Sequence, residues 1–333
     1  RSFAVDRFEQ KLWVKKYWGD FGCPTTCLKI AMPKTGKFKG AITDNPDYEM
    51  QAYLGPNLGI FTPEDNVYLA SLIDDLGLCG IQAGNVLGFV AELYQRGILN
   101  RDDLDGIKPE WGKTQAFAQL AEKIALRDGI GDTLAEGSHR AALKLGKMKR
   151  KDLTIYAVHG KGVAIGAHGI RSGRDYPSII SYACSVQGGD HTSLAEIPTE
   201  HGNSELDSVF NDSGVICMFN TFSESNDVIW DFFDAVTGWT SAQKDWYETN
   251  GLRILQLQRA MLLLGGPDIK WKPRVDDDNP PRFYEPLPSG PYKGSTVKKK
   301  AFEEEKNEYY EAVGWDKNGL PAVSYTHLRA HET

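Results

Sequence analysis

Apolar residues recur at helical spacing through much of the chain. Leu69, Leu72, Ile73 and Leu76 stand at i, i+3, i+4 and i+7, one stripe along an α-helix. Thr62-Pro63-Glu64-Asp65 supplies a start: a capping hydroxyl, a proline in the first turn, then acids near the positive dipole end. Gly77 follows the last apolar position and predicts the stop. The same reading predicts helices over about 85–96, ended by Gly97, and over about 114–127 and 132–145, closed by Gly129 and Gly146. A long amphipathic helix is expected over about 241–264, stopped by Gly265-Gly266-Pro267, and a last one over about 300–313.

The gaps between these stretches divide the chain. The basic run Lys147–Lys151 predicts a domain boundary, giving domains over about 1–150 and 151–321. Residues 160–173 are glycine-rich and irregular. Residues 276–294 hold too much proline and glycine for regular structure and read as an ordered surface strap. The chain opens Arg1-Ser2-Phe3, and Phe8, Leu12 and Val14 suggest an element already under way. Residues 322–333 (AVSYTHLRAHET) depart from the preceding composition and resemble read-through of adapter DNA, so His327 and His331 carry no functional argument.

Composition narrows the class. A length of 333 residues suggests about two domains. A net charge of −7 with scattered Lys and Arg excludes a general nucleic-acid role. Lys298-Lys299-Lys300 is followed by Glu303-Glu304-Glu305 and reads as a solvated helix start. No apolar run approaches the ~20 residues of a membrane span, so no membrane partner is expected. There is no secretory signal, and five cysteines, an odd number, do not form a disulfide framework. A reducing cytoplasm is expected, with thiolates available for metal.

Cys23-Pro-Thr-Thr-Cys27 is a close pair, and Cys217 lies far downstream. Three or four converging thiolates bind iron–sulfur clusters. The alternatives are buried or zinc-binding cysteines. No histidine stands at the usual zinc spacing, and Pro24 argues against a simple helical pair. A near-repeat adds a second clue. Asp74 and Asp212 each precede a cysteine, Cys79 and Cys217, by five residues. Asp74 falls in the last turn of its predicted helix, where the dipole opposes an anion by about 0.3–1 kcal/mol. Solvent, a lysine, or a ligand with several N–H donors would compensate.

At these residues the chain resembles the aldehyde ferredoxin oxidoreductase family. The Asp74 and Asp212 segments resemble its paired Asp-x-x-Gly-Leu-Cys/Asp motifs, with Gly77 and Leu78 matching in the first. In the second, Gly214 sits one place early and Val215-Ile216 stand where Gly-Leu is usual. Asp47-Tyr48-Glu49 with Gly55-Pro56-Asn57, Asp128–Asp132 with Leu134–Gly137, His159–Gly162, Tyr182–Ser185 with Gly189–His191, Arg282–Pro291 and Tyr309–Asp316 resemble further family segments, in family order from about Asp20 to Pro321. The resemblance implies a mainly α fold of two helical domains, with the family's N-terminal β-rich pterin-binding domain absent.

It also implies cofactors and roles. Asp74 and Asp212 would each bind one of two pterins that chelate a single tungsten or molybdenum. Cys23, Cys27 and Cys217 would ligate a 4Fe-4S cluster. The family's first cluster cysteine is replaced here by Asp20, which is expected as the fourth ligand; the rival is an open iron or a three-iron cluster. His159 and Lys161 are placed either near the pterin phosphates, which Mg would bridge, or in a surface loop. Glu49 and His191 match the family's acid–base pair, and a carboxylate and an imidazole suit proton transfer during aldehyde oxidation. Relatives that reduce aromatic acyl-thioesters carry a Cys where this chain keeps Glu49. Cys79 and Cys184 are expected as small core residues. The implied reaction is aldehyde plus water to carboxylic acid, with electrons passing through the cluster to ferredoxin and a homodimer as a compatible assembly. The alternatives are an acyl-CoA reductase relative, an inactive iron–sulfur-binding fragment, or an electron-transfer subunit.

Overall fold

The structure, a computed structural model, describes residues 12–19, 21–23, 25–44, 46–171, 177–198, 204–221, 226–240, 242–265 and 269–321. Its contacts form two units, residues 1–167 with 280–282, and residues 168–279 with 283–333. No single helix among the described residues is long and apolar enough to cross a membrane.

The first unit opens with an antiparallel sheet, β1 (Leu12–Trp18), β2 (Leu28–Pro33) and β3 (Thr43–Asp44), paired in that order. The β1–β2 connection carries Cys23 and Cys27. The helices follow: α1 (Tyr48–Tyr53), α2 (Pro63–Asp75), α3 (Gly80–Gln95), α4 (Thr114–Leu126), α5 (Ile130–Leu134) and α6 (Gly137–Lys149). A small hairpin, β4 (His159–Gly160) and β5 (Val163–Ala164), ends the unit. Leu54, Leu58, Leu69, Leu87, Leu93 and Phe117 are buried in one apolar cluster, each contributing about 1.5–3 kcal/mol.

Sequence and packing meet in α3. The periodic stripe predicts its start near residue 85, but the helix begins at Gly80. Glycines at 80, 84 and 88 form one face of that early stretch. A Cβ on Gly84 would stand 2.7 Å from Tyr53 Cβ, and one on Gly88 would stand 2.9 Å from Asn57 Nδ2. The glycines cost helix propensity, about 1 kcal/mol each, but let α1 lie directly against α3. Tertiary contact therefore extends the helix where local preference argues against it.

Other departures have local causes. Thr62 makes no capping bond to the backbone; its hydroxyl donates to Asp65 instead. The helix expected over 132–145 is broken ahead of Gly137, whose φ is +83°. α6 ends near the expected boundary, yet residues 151–167 pack with the first unit. Asn85 Nδ2 donates to Val158 O at 2.9 Å, and the Tyr53 hydroxyl donates to Ile165 O. The unit boundary falls at Ala167/His168.

The second unit contains α7 (Ser181–Cys184), α8 (Ser204–Gly214), α9 (Met218–Thr221), α10 (Asn226–Thr237), α11 (Ala242–Asp245), α12 (Gly251–Leu264), α13 (Pro273–Asp276) and α14 (Lys299–Ala312). Between α11 and α12, Trp246–Asn250 form a π-helical turn. Trp246 joins Val209, Phe210 and Trp230 in an aromatic core. Residues 276–294 are irregular apart from short helical turns, as expected of a strap.

Candidate functional site

The two Asp-led motifs close their helices in the same way. At the end of α2, Gly77 N–H donates to Asp74 O at 2.9 Å and Leu78 N–H donates to Ile73 O at 3.0 Å. At the end of α8, Val215 N–H donates to Asp212 O at 3.4 Å and Ile216 N–H donates to Asn211 O at 2.8 Å. Gly77 has φ +66° and Val215 has φ +55°. Both follow the left-handed helix-ending pattern that favours glycine. Cys79 and Cys217 then lead directly into α3 and α9. Val215 thus occupies the place of Gly77, and Ile216 that of Leu78. The departure of the second motif lies in its side chains, not its backbone path.

This predicts a measurable strain. A β-branched residue in the left-handed region costs about 1–2 kcal/mol, and the Val215 side chain is 92% exposed, so its loss removes little packing. Val215→Gly should stabilise the protein by about 1 kcal/mol after the entropy cost of glycine. Urea unfolding measures this; a midpoint at or below that of the parent protein would exclude the strain.

Asp74 is exposed, and its compensating partner is the buried Thr43, whose hydroxyl donates to Asp74 Oδ2. Asp212 is also exposed, and Gln187 Nε2 stands 3.5 Å from its Oδ2. Each carboxylate retains acceptor capacity toward solvent. These acceptors fit a ligand edge that presents N–H groups.

The thiols are less uniform than their spacing implies. Cys27 and Cys217 are exposed. Cys23 is half-buried, and its Sγ lies 3.6 Å from Thr25 O. Asp20 lies outside the described residues, as does the segment 322–333. Cys184 is buried as expected. Cys79 is exposed, contrary to the core reading. Its place just before α3 puts it on a cavity of about 260 Å³, also lined by Leu78, Gln82, Glu136, Gly137 and Gly162. Among the described residues, no group of three His, Cys, Asp or Glu side chains is placed to hold a metal ion.

Glu49 sits in the first turn of α1. Asp47 caps that helix by accepting the Met50 N–H at 3.4 Å. Glu49 is 5% exposed, and its Oε2 accepts the Ala167 N–H at 2.7 Å. Burial first, and the Glu49 charge second, push the Tyr53 phenol above its ordinary range. Tyr53 therefore remains the protonated donor to Ile165 O.

Lys161 and Gly162 turn the β4–β5 hairpin with φ of +49° and +85°. Two consecutive positive φ values match the twist of such hairpins. Lys161 is buried rather than on a surface loop. His159 is pushed down to about 3, by burial first and then by His139 and Lys161. It is a neutral imidazole at physiological pH, and its Nδ1 accepts the Gly162 N–H at 3.2 Å. His159 thus has a supporting role in the Lys161 turn.

In the second unit, His191 Nδ1 lies 3.7 Å from Asp190 Oδ1. Asp190 is fixed by the Thr192 N–H and hydroxyl, both at 2.9 Å. The His168 ring faces His191 with centroids 5.8 Å apart. Sequence reasoning passed over His168, Tyr182 as a hydrogen-bonding partner, and Thr43. No periodic pattern or motif marks these contacts.

The sequence model of "Aldehyde ferredoxin oxidoreductase, domains 2 & 3" matches residues 2–327. The "Aliphatic sulfonate oxidoreductase, WOR-like subunit" of Pyrococcus furiosus is 54% identical over 320 residues, covering 96% of this chain and 51% of that protein. The "Tungsten-containing aldehyde ferredoxin oxidoreductase" of the same organism is 33% identical over 316 residues, covering 90% and 50%. The chain therefore spans about half the length of the curated relatives it matches. A solved structure, "Active site complex BamBC of Benzoyl Coenzyme A reductase in complex with 1,5 Dienoyl-CoA", shares the fold with a TM-score of 0.61 at 18% identity, over 96% of this chain and 53% of that one. The mainly helical chain belongs to the aldehyde ferredoxin oxidoreductase family and matches its second and third domains.

Proposed function

We propose that the chain forms the two helical domains of a tungsten- or molybdenum-bispterin oxidoreductase that oxidises a small aldehyde to its carboxylic acid in the cytoplasm. The carrying observation is the repeated helix ending that presents exposed Asp74 and Asp212 with the same backbone closure. The balanced reaction is aldehyde plus water giving acid, two protons and two electrons. When bound, a metal–pterin group with a 4Fe-4S cluster would supply the two-electron redox chemistry, with ferredoxin as the acceptor. Asp74 and Asp212 would hold the pterin N–H edges, Lys161 would neutralise phosphate, and Cys23, Cys27, Cys217 and Asp20 would ligate the cluster. Glu49 takes a proton from the attacking water, and His191 takes up or passes on the second.

One observation favours a second substrate reading. The relative named for an aliphatic sulfonate is 54% identical, against 33% for the tungsten aldehyde enzyme. A substrate carrying a sulfonate is therefore the principal rival to a plain aldehyde. The family reading is tested on the native protein, purified anaerobically, by metal and pterin analysis. Tungsten or molybdenum with two pterins per metal is expected, and Asp74→Ala and Asp212→Ala should each reduce pterin content. Iron without pterin would replace this reading with that of an iron–sulfur-binding fragment. Reductive activity with an acyl-CoA thioester in place of aldehyde oxidation would support the reductase alternative.

A further inference from the structure

Helix α10 of the second unit has apolar side chains on two faces. On the inner face, Trp230 and Phe233 join the aromatic core, where Trp230 stacks on Phe210 with ring centroids 4.0 Å apart. On the outer face, Val228, Phe232 and Val236 stand at i, i+4 and i+8 and are 50%, 70% and 84% exposed. Trp239, two residues past the helix end, is 53% exposed and packs edge-on against Phe233 with centroids 5.5 Å apart. Scattered apolar residues are ordinary on a protein surface, but a stripe along one helix face marks a contact surface. The four outer residues expose roughly 400–500 Å². One side of a standard protein interface contributes about 800 Å², of which about 56–65% is apolar, or about 450–520 Å². The stripe therefore supplies the apolar area that one copy brings to a stable dimer.

We propose that α10 is the contact between two copies of this chain, packed antiparallel on its counterpart and centred on Phe232. A twofold contact must be self-complementary: a residue before the centre meets one equally far beyond it, and the central residue meets its own counterpart. The stripe has that symmetry, since Val228 and Val236 lie four residues either side of Phe232. Phe232 then packs on Phe232 of the second copy, and Val228 on Val236. Charge sets the direction. The exposed Asp227 and Asp231 lie in the N-terminal half of α10, whereas the exposed Lys244 lies beyond its C-terminal end, on α11, which packs against α10. A parallel pair aligns acids with acids and dipole with dipole. An antiparallel pair sets the acids of each helix toward the lysine end of the other and opposes the dipoles. The inner face already holds α10 in place, so association orders little backbone. The contact draws on no cofactor and uses none of the residues assigned to the redox site.

Sedimentation velocity of the full 333-residue chain over about 1–100 μM should show a dimer that grows with concentration. Phe232→Asp sets two carboxylates against each other at the twofold axis and should weaken dimerisation about tenfold or more. Phe232 is 70% exposed in a single copy, so the fold should hold, with circular dichroism matching the parent as the check. Should Phe232→Asp perturb the fold, Phe232→Ser, which adds no charge, serves in its place. Cysteine cross-linking reads the direction. Under mild oxidation, Phe232→Cys should link to itself in a second copy, identified by mass spectrometry of the joined peptides. Val228→Cys mixed with Val236→Cys should give the link between 228 and 236 in excess over either self-link. A monomer across the whole range would overturn the proposal and leave the stripe to a different polypeptide. A dimer unaffected by the folded Phe232 variant would place the contact elsewhere and overturn it equally. A dimer lost in that variant, but without these links, would overturn the antiparallel pairing.

Discussion

Asp277→Ala should destabilise the second unit by about 3–5 kcal/mol. The Arg259 and Asp277 side chains are 0% and 1% exposed. Arg259 makes a two-pronged bond, Nη1 to Asp277 Oδ1 at 3.1 Å and Nη2 to Oδ2 at 2.6 Å, while its Nε donates to Gly319 O at 3.0 Å. The guanidinium lies 4.0 Å from the centre of the Trp315 ring. Tyr310 donates to Asp277 Oδ2 at 2.6 Å, and Lys306 Nζ donates to Asp277 O at 3.2 Å. Burial first, and the Asp277 charge second, hold the Tyr310 phenol in its protonated form. Removing Asp277 leaves a guanidinium with no counter-ion where water does not reach. The desolvation already incurred by Arg259 then goes uncompensated, which outweighs the small reduction in packing when a carboxymethyl group becomes a methyl. A double replacement, Arg259→Met with Asp277→Leu, should cost far less than the single one. Urea unfolding of the three proteins decides the matter. A single variant no less stable than the double would show that the charge pair is not what holds this core.

The elements most legible in the sequence are those whose cause is local. α2, α4 and α14 lie within about a residue or two of the apolar periodicity and its glycine stops, because side-chain spacing and end residues suffice to specify them. The start of α3 was hidden because Gly80, Gly84 and Gly88 weaken the helix locally, and their value appears only when α1 packs on them. α10 escaped for another reason. Ile229, Trp230 and Phe233 pack inward, while Val228, Phe232 and Val236 are exposed, so apolar residues on two faces erase a single stripe. The β1–β2 pair lacked a short turn signal because its connection is the long cysteine-bearing segment. Among the site residues, Asp74 and Asp212 were found through spacing repeated in the chain itself. Thr43 was not, since its bond to Asp74 spans 31 residues and belongs to tertiary structure alone. Val215 shows the limit of a glycine rule. The backbone closure at Ile216 N–H and Asn211 O is retained without the residue that makes it easy.

Glu49→Gln should lower kcat by about 10²–10⁴-fold in the native enzyme while leaving its thermal stability near that of the parent. The substitution separates two roles of one side chain. Glu49 Oε2 accepts the Ala167 N–H at 2.7 Å, and a glutamine carbonyl can accept the same bond, so the junction of α1 with residue 167 is kept. The neighbouring bond from Tyr53 to Ile165 does not involve Glu49 and holds the same segment independently. The ability to take up a proton is lost. A group that accepts a proton during the chemical step should lower kcat and kcat/KM together, with KM little changed. Glu49→Ala removes the acceptor as well, and should lose stability in addition to activity because the Ala167 N–H then has no carboxylate partner in a partly buried setting. Steady-state kinetics with a small aldehyde, alongside melting curves for both variants, separates the contributions. Full turnover in Glu49→Gln, accompanied by destabilisation in Glu49→Ala, would make Glu49 an anchor for residue 167 and leave the proton to another acceptor.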